Sequence, residues 1–221
     1  MAALLGAAGT AQAAFVTIGD PGNTADTTNY GAVSYEYKIS ATEVTIEELI
    51  AVEGVGDGDE AYWNTEPLDV GVKAPAVKVT LVDAMRYANF LTSGSTINGA
   101  YNFHPETGKF VSMDRGSAIS TYGTVYALPT EDEWYKAAYY TGNSGDPWSL
   151  YSFGTDTAPT KDVDSNYSHG NDPASVWVVG SGNKEQNNTY DMLGNVWEWL
   201  EPGEDIVIRG GDIRDPAENI A

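Results

Sequence analysis

A chain of 221 residues with 32 Asp and Glu against 11 Lys and Arg carries a formal charge of −21, and it contains no cysteine. So few cations cannot neutralise a phosphate backbone, which excludes nucleic acid as a partner, and the same charge repels anionic lipid. Without cysteine there is no disulfide framework, no thiolate metal centre and no cysteine nucleophile, and 2 His are too few for a histidine metal centre.

Hydrophobic residues at 42% suffice for a full core, so the acidity belongs to a folded chain and not to a disordered one. Residues 1–13 are small and aliphatic and end in Ala11-Gln12-Ala13, the small-x-small pattern of a signal-peptidase site. They read as a signal-peptide remnant, which predicts a secreted, periplasmic or cell-surface protein. A short buried helix is the alternative, disfavoured by the lack of large apolar anchors. No later apolar run has spanning length, so no membrane insertion is expected. Residues 14–221 are expected to form a single domain.

The first strands are predicted at Phe15–Ile18 and over 33–39, where Val33, Tyr35, Tyr37 and Ile39 alternate with polar residues. Three helices share one start signal. Thr45-x-x-Glu48, Thr80-x-x-Asp83 and Thr130-x-x-Glu133 each place a hydroxyl at an N-cap and a carboxylate three residues on. In the second helix Leu81, Ala84, Met85, Ala88 and Leu91 fall on one face and Gly94 ends it. The third has acids at Glu131 and Asp132 against the positive end of its dipole and turns Trp134, Ala137 and Ala138 inward. From Thr141 to about Asn188, frequent Gly, Asn, Asp, Ser and Pro predict a long loop region, of the sort that carries function or binds an ion.

The densest signal is Tyr190-Asp-Met-Leu-Gly-Asn-Val-Trp-Glu-Trp199, followed by Arg209-Gly-Gly211. With the runs Pro75–Leu91 and Leu128–Ala138, the opening Phe15–Asn23 and Glu43-Val-Thr45, these blocks resemble, in order, the formylglycine-generating enzyme or sulfatase-modifying factor family, in its exported bacterial branch. The resemblance covers nearly the whole chain from Phe15. It implies an α+β fold, a variant of the C-type-lectin-like fold with few helices, short strands and long structured loops.

The family's active members use oxygen and copper(I), held by two cysteine thiolates, to oxidise a sulfatase cysteine to formylglycine. Copper(I) needs soft sulfur ligands, and with no cysteine copper is not supported here. The family's reactive cysteines lie beyond the Arg-Gly-Gly block, where only Asp212–Ala221 remain, so a C-terminal truncation is expected. The resemblance also implies structural calcium, held by the Leu193, Gly194 and Val196 carbonyls with the Glu198 carboxylate. A carboxylate between Trp197 and Trp199 is costly to bury unpaired, and Ca²⁺ relieves that cost. The alternative is that Glu198 pairs with Arg209 or caps backbone amides. A second calcium site falls near Asn166 and the Tyr167 carbonyl, with Asp172 as the candidate acid.

Among the tryptophans, Trp134, Trp197 and Trp199 are expected in the core, whereas Trp63, Trp148 and Trp177 lie in loops and are candidates for stacking on a ligand. His104 and His169 are read as hydrogen-bonding loop residues, because no ligands stand near them at metal spacing. The acidic run from Gly54 to Glu60 lacks the bidentate glutamate of a calcium loop and is read as a solvated turn. The sequons at Asn166 and Asn187 carry no weight in an exported bacterial chain. Three functions fit: a secreted non-catalytic module binding a protein or glycan, an oxidase whose cysteine-bearing segment lies outside this sequence, and a lectin-like variable receptor.

Overall fold

The computed structural model describes residues 14–52, 55, 71–170, 176–203 and 205–220. Along them run β1 (Phe15–Ile18), β2 (Tyr37–Ser40), α1 (Ile46–Ile50), α2 (Leu81–Ser93), β3 (Tyr101–Phe103), β4 (Phe110–Met113), α3 (Arg115–Tyr122), α4 (Glu131–Tyr139), β5 (Glu198–Trp199) and β6 (Ile208–Arg209). Single 3₁₀ turns lie at Gly71–Lys73 and Ala217–Asn219. This is the α+β architecture expected, with short strands paired only two by two, β1 with β2, β3 with β4 and β5 with β6, all antiparallel. Among the described residues no helix is long and apolar enough to cross a membrane. The predicted segment 1–13 lies outside the described residues.

The described residues fall into two compact units. One comprises residues 46–52 and 76–128. Its centre is α2, whose ends follow the sequence signals. Thr80 accepts from the Asp83 amide while Asp83 reaches back to the Thr80 amide, and Gly94 ends the helix with a left-handed φ of 75°. Met85 and Ala88 pack with Ala100, Tyr101 and Phe103. The sequence reading missed α3. Asp114 caps it, its carboxylate accepting from the Ser117 amide at 2.8 Å, but Ala118 alone is buried, so no apolar stripe announces it.

The other unit comprises residues 14–45, 71–75 and 129–220, and it holds α4 at its centre. Thr130 and Glu133 form a second capping box, and the helix is buried from Glu133 to Tyr139. Trp134, Ala137, Ala138 and Tyr139 pack with Ile18, Met192, Leu193, Leu200 and Ile220. The C-terminal end of α4 is closed from a distance, because Asn187 Nδ2 donates to the Ala137 and Tyr140 carbonyls and Gln186 Nε2 to that of Ala138.

Two expectations are corrected in this unit. The strand read over 33–39 is ordered as β2 only from Tyr37, because β1 supplies a partner for just four residues. Val33 instead gives its carbonyl to the Gly22 amide and takes Asn23 Oδ1 at its own amide. Trp197, expected in the core, is 37% exposed. Successive side chains of an extended segment point to opposite sides. Glu198 turns to the Trp134 indole, so Trp197 turns away.

Candidate functional site

The loop from Asn188 to Asn195 is held in an unusual backbone conformation. Asn188, Asp191, Gly194 and Asn195 all have positive φ, between 59° and 84°. Asn and Asp tolerate this region better than other side-chain-bearing residues, and a loop retains four such positions only when its surroundings dictate them. Gly194 has a reason for lacking a side chain, since a Cβ there would collide with the Asn166 carbonyl oxygen.

Asn195 is the knot of this loop and is fully buried. Its Nδ2 donates to Glu43 Oε1 at 2.8 Å, while its Oδ1 accepts from Asn166 Nδ2 and from the Trp177 amide, each at 2.9 Å. Its own amide donates to the Asn166 carbonyl at 2.8 Å. Three distant segments are thereby tied to one side chain.

Around this knot stand buried acids, Glu43, Asp191 and Glu185. Asp191 Oδ2 accepts from the Gly180 amide at 2.6 Å, and Glu185 Oε1 accepts from the Ser152 hydroxyl at 2.7 Å. The remaining oxygens, Glu43 Oε2, Asp191 Oδ1 and Glu185 Oε2, are buried with no hydrogen-bond donor. Burial pushes the Glu43 carboxyl well above the usual carboxylate range, with Asp191 and Glu198 adding repulsion. Burial also raises Asp191. Glu185 is pushed up to about 8, by burial first, then by the charges of Asp191 and Glu198. A carboxyl in this position holds a proton that an exposed one would have lost.

Glu198 is raised to about 7 by burial and by the charge of Asp191, with the Trp134 indole donating to its Oε2. The pairing with Arg209 considered from sequence does not form. Arg209 donates to Glu131 Oε1, through its Nε at 3.1 Å, and stacks over the Tyr30 ring. Glu198 is thus a half-buried carboxylate that, among the described residues, pairs with no Lys or Arg, an environment that a divalent cation would relieve. The neighbouring carbonyls fit such a role. A Cβ on Gly210 would stand 3.1 Å from the Met192 oxygen and 3.8 Å from that of Val196, so glycine leaves these carbonyls clear. The Leu193 carbonyl accepts from the Ser165 hydroxyl and retains a second lone pair. Among the described residues no three His, Cys, Asp or Glu side chains stand together as a metal cluster, so a cation here would depend on backbone oxygens.

The second pair of candidates takes part in these hydrogen bonds. The Asn166 side chain and carbonyl serve Asn195, and the Tyr167 hydroxyl donates to the Pro159 carbonyl. Asp172 lies outside the described residues, as do Trp63 and most of the acidic run from Gly54 to Glu60. Trp148 is half-buried, its ring packed against Tyr135 and Tyr140 at centroid distances of 5.5 and 4.9 Å. Trp177 is half-buried beside Asn195. His169 pairs with Asp162 at 2.7 Å, and His104 Nδ1 accepts from the Glu106 and Thr107 amides.

Sequence reasoning recognised the 193–198 block but missed the acids behind it. The available signal was Asp191, an acid just before the apolar pair Met192-Leu193, together with Glu43 between Ala41 and Val44.

Comparison with known proteins agrees with this architecture. A family profile described as "Sulfatase-modifying factor enzyme 1-like domain" matches residues 12–214. Among solved structures, one titled "Crystal Structure of CarF" superposes with a TM-score of 0.58 at 20% identity, over 95% of this chain and 91% of that one. A second, "Treponema denticola variable protein 1", gives a TM-score of 0.55 at 19% identity, over 93% of this chain and 86% of that one. At these identities the likeness shows a shared fold. No curated protein matches the chain in sequence.

Proposed function

The chain belongs to the sulfatase-modifying factor enzyme 1-like family, and from that membership we propose that it is an exported, non-catalytic binding module on the family's scaffold. The observation that carries this reading is the absence of cysteine from the residues matched to the family. The family's oxidation rests on copper(I) held by thiolates, and the oxygen-rich side chains of this chain are the wrong class of ligand for that ion. The acids at the centre of the second unit do not substitute, being buried under the loop they hold.

What the scaffold offers in place of chemistry is a rigid core beneath long loops, an arrangement suited to presenting a ligand-binding surface. The protein named as variable shares this fold, which supports a loop surface adapted to a protein or glycan partner. Fold alone does not choose the ligand. Calcium belongs to the same reading: Glu198, with the Leu193, Gly194 and Val196 carbonyls, would hold one ion that neutralises the half-buried carboxylate there.

The test is incubation of the purified chain with a sulfatase-type cysteine peptide, copper(I) and oxygen, followed by mass spectrometry. The proposal expects the peptide to keep its cysteine. Conversion to the aldehyde overturns it.

A further inference from the structure

One face of the second unit combines exposed aromatic rings with carboxylates. Residues 20–35 lie along α4 and are fixed to it at several points. The Gly31 amide donates to Asp132 Oδ1 at 2.8 Å, Tyr35 donates to Glu133 Oε1 at 2.8 Å, and Tyr135 donates to Asp26 Oδ2 at 2.6 Å. Tyr140 likewise donates to Asp20 Oδ2. The rings are continuous, Tyr30 meeting Tyr135 at 5.8 Å, Tyr135 meeting Trp148, and Trp148 meeting Tyr140. On this stretch Tyr30 is 37% and Tyr35 46% exposed, Tyr35 meeting Tyr37 edge-on, and Asp20, which accepts from Tyr140, is exposed, as is Glu36.

The cations packed into this layer are already engaged. Lys136 is buried, with Nζ donating to the Asp20 carbonyl at 2.8 Å and lying over the Tyr140 ring, and Arg209 is held by Glu131 over Tyr30. The protein thus already seats two of its own cations on these tyrosines, while the face keeps an excess of acid. Aromatic faces flanked by carboxylates attract guanidinium and ammonium groups. The chain's charge of −21 adds a long-range field of the matching sign.

Resting on the binding-module reading, we propose that this face docks a basic peptide segment, a Lys- and Arg-rich stretch of another protein. The rings pack tilted and edge-on against one another, so they form a filled layer and not an open box for one small ammonium ion. Tyr30 and Tyr35 flank the short stretch anchored on the first turn of α4, and they provide separate stations for successive side chains of an extended chain.

The experiment is calorimetric titration of the full chain with a hexaarginine peptide at physiological salt, where diffuse surface attraction is largely screened. Binding is expected, weakened about tenfold by Tyr30→Ala with Tyr35→Ala. Asp20→Asn should weaken it severalfold, and Asn suits the left-handed backbone at this position. Glu47→Gln, the same charge change at an exposed position of the other unit, should leave it unchanged. Should the tyrosine variant fail to fold, as judged by circular dichroism, the Asp20 and Glu47 pair decides. No binding at physiological salt overturns the proposal, and so does equal weakening by Asp20→Asn and Glu47→Gln. Either failure leaves the non-catalytic reading standing, because the cysteine-peptide assay tests that separately.

Discussion

Asn195 Nδ2 donates to Glu43 Oε1 at 2.8 Å, across 152 residues of sequence, with both side chains buried. This bond joins the strand region near the start of the chain to the loop that carries the family's most recognisable block. The Asn195 amide is a side-chain donor that supports the ionised form of that carboxyl against its burial. Asn195→Asp replaces it with a further acid, and we expect a loss of about 3 kcal/mol or more, measured by urea unfolding. Adding Glu43→Gln should recover much of the loss, since the new amide donates to the new carboxylate. A double-mutant cycle with no coupling would contradict the assignment.

The pH dependence follows from Glu185. Its folded-state value of about 8 lies above the ordinary 4.5, so between those values the native state keeps a proton that the unfolded state has released. The sign of its contribution is therefore fixed: it is fully present below about 4.5 and is lost as pH rises through that window, by an amount on the order of a few kcal/mol. Glu198 pushes in the same direction. Glu185→Gln should flatten the slope of urea midpoint against pH and raise stability at the alkaline end. An unchanged slope would remove Glu185 as its source.

Calcium should raise the thermal midpoint, because an ion that binds only the folded state stabilises by mass action, about 2.7 kcal/mol at a hundredfold excess over Kd. Glu198→Gln should abolish the difference between calcium and chelator. A shift that survives this substitution would place the ion elsewhere, and no shift in the unmodified chain would remove the metal from the account.

Gly31 has a φ of 90°, and a Cβ there would overlap the Trp148 ring. Gly31→Ala is expected to cost about 1–3 kcal/mol, from backbone strain together with displacement of a packed indole. Chemical denaturation measures the loss, and near-UV circular dichroism reports the change at Trp148.

Local chemistry was legible in the sequence wherever it was decided within a few residues. Thr80 with Asp83 and Thr130 with Glu133 are capping boxes in the structure as in the sequence, and Gly94 ends its helix. The family blocks led to the fold as a whole. What the sequence hid was decided at long range. Glu43 and Asn195 meet only after folding, and nothing in either neighbourhood marks them as partners. Val33 and Tyr35 alternate like strand residues, yet β1 is too short to pair with them. The helix α3 has a cap but no apolar stripe, so periodicity passes over it. Arg209 is the clearest instance at the candidate site: its strand register faces Glu198, but its guanidinium goes to Glu131.

Copper(I) affinity tests most directly the proposal that this member of the family lacks the family's oxidation chemistry. In an anaerobic competition against a chromophoric copper(I) chelator, the full chain is predicted to withdraw no metal, because it presents no thiolate. Stoichiometric withdrawal of copper(I), followed on admission of oxygen by conversion of a cysteine peptide to its aldehyde, would contradict the account.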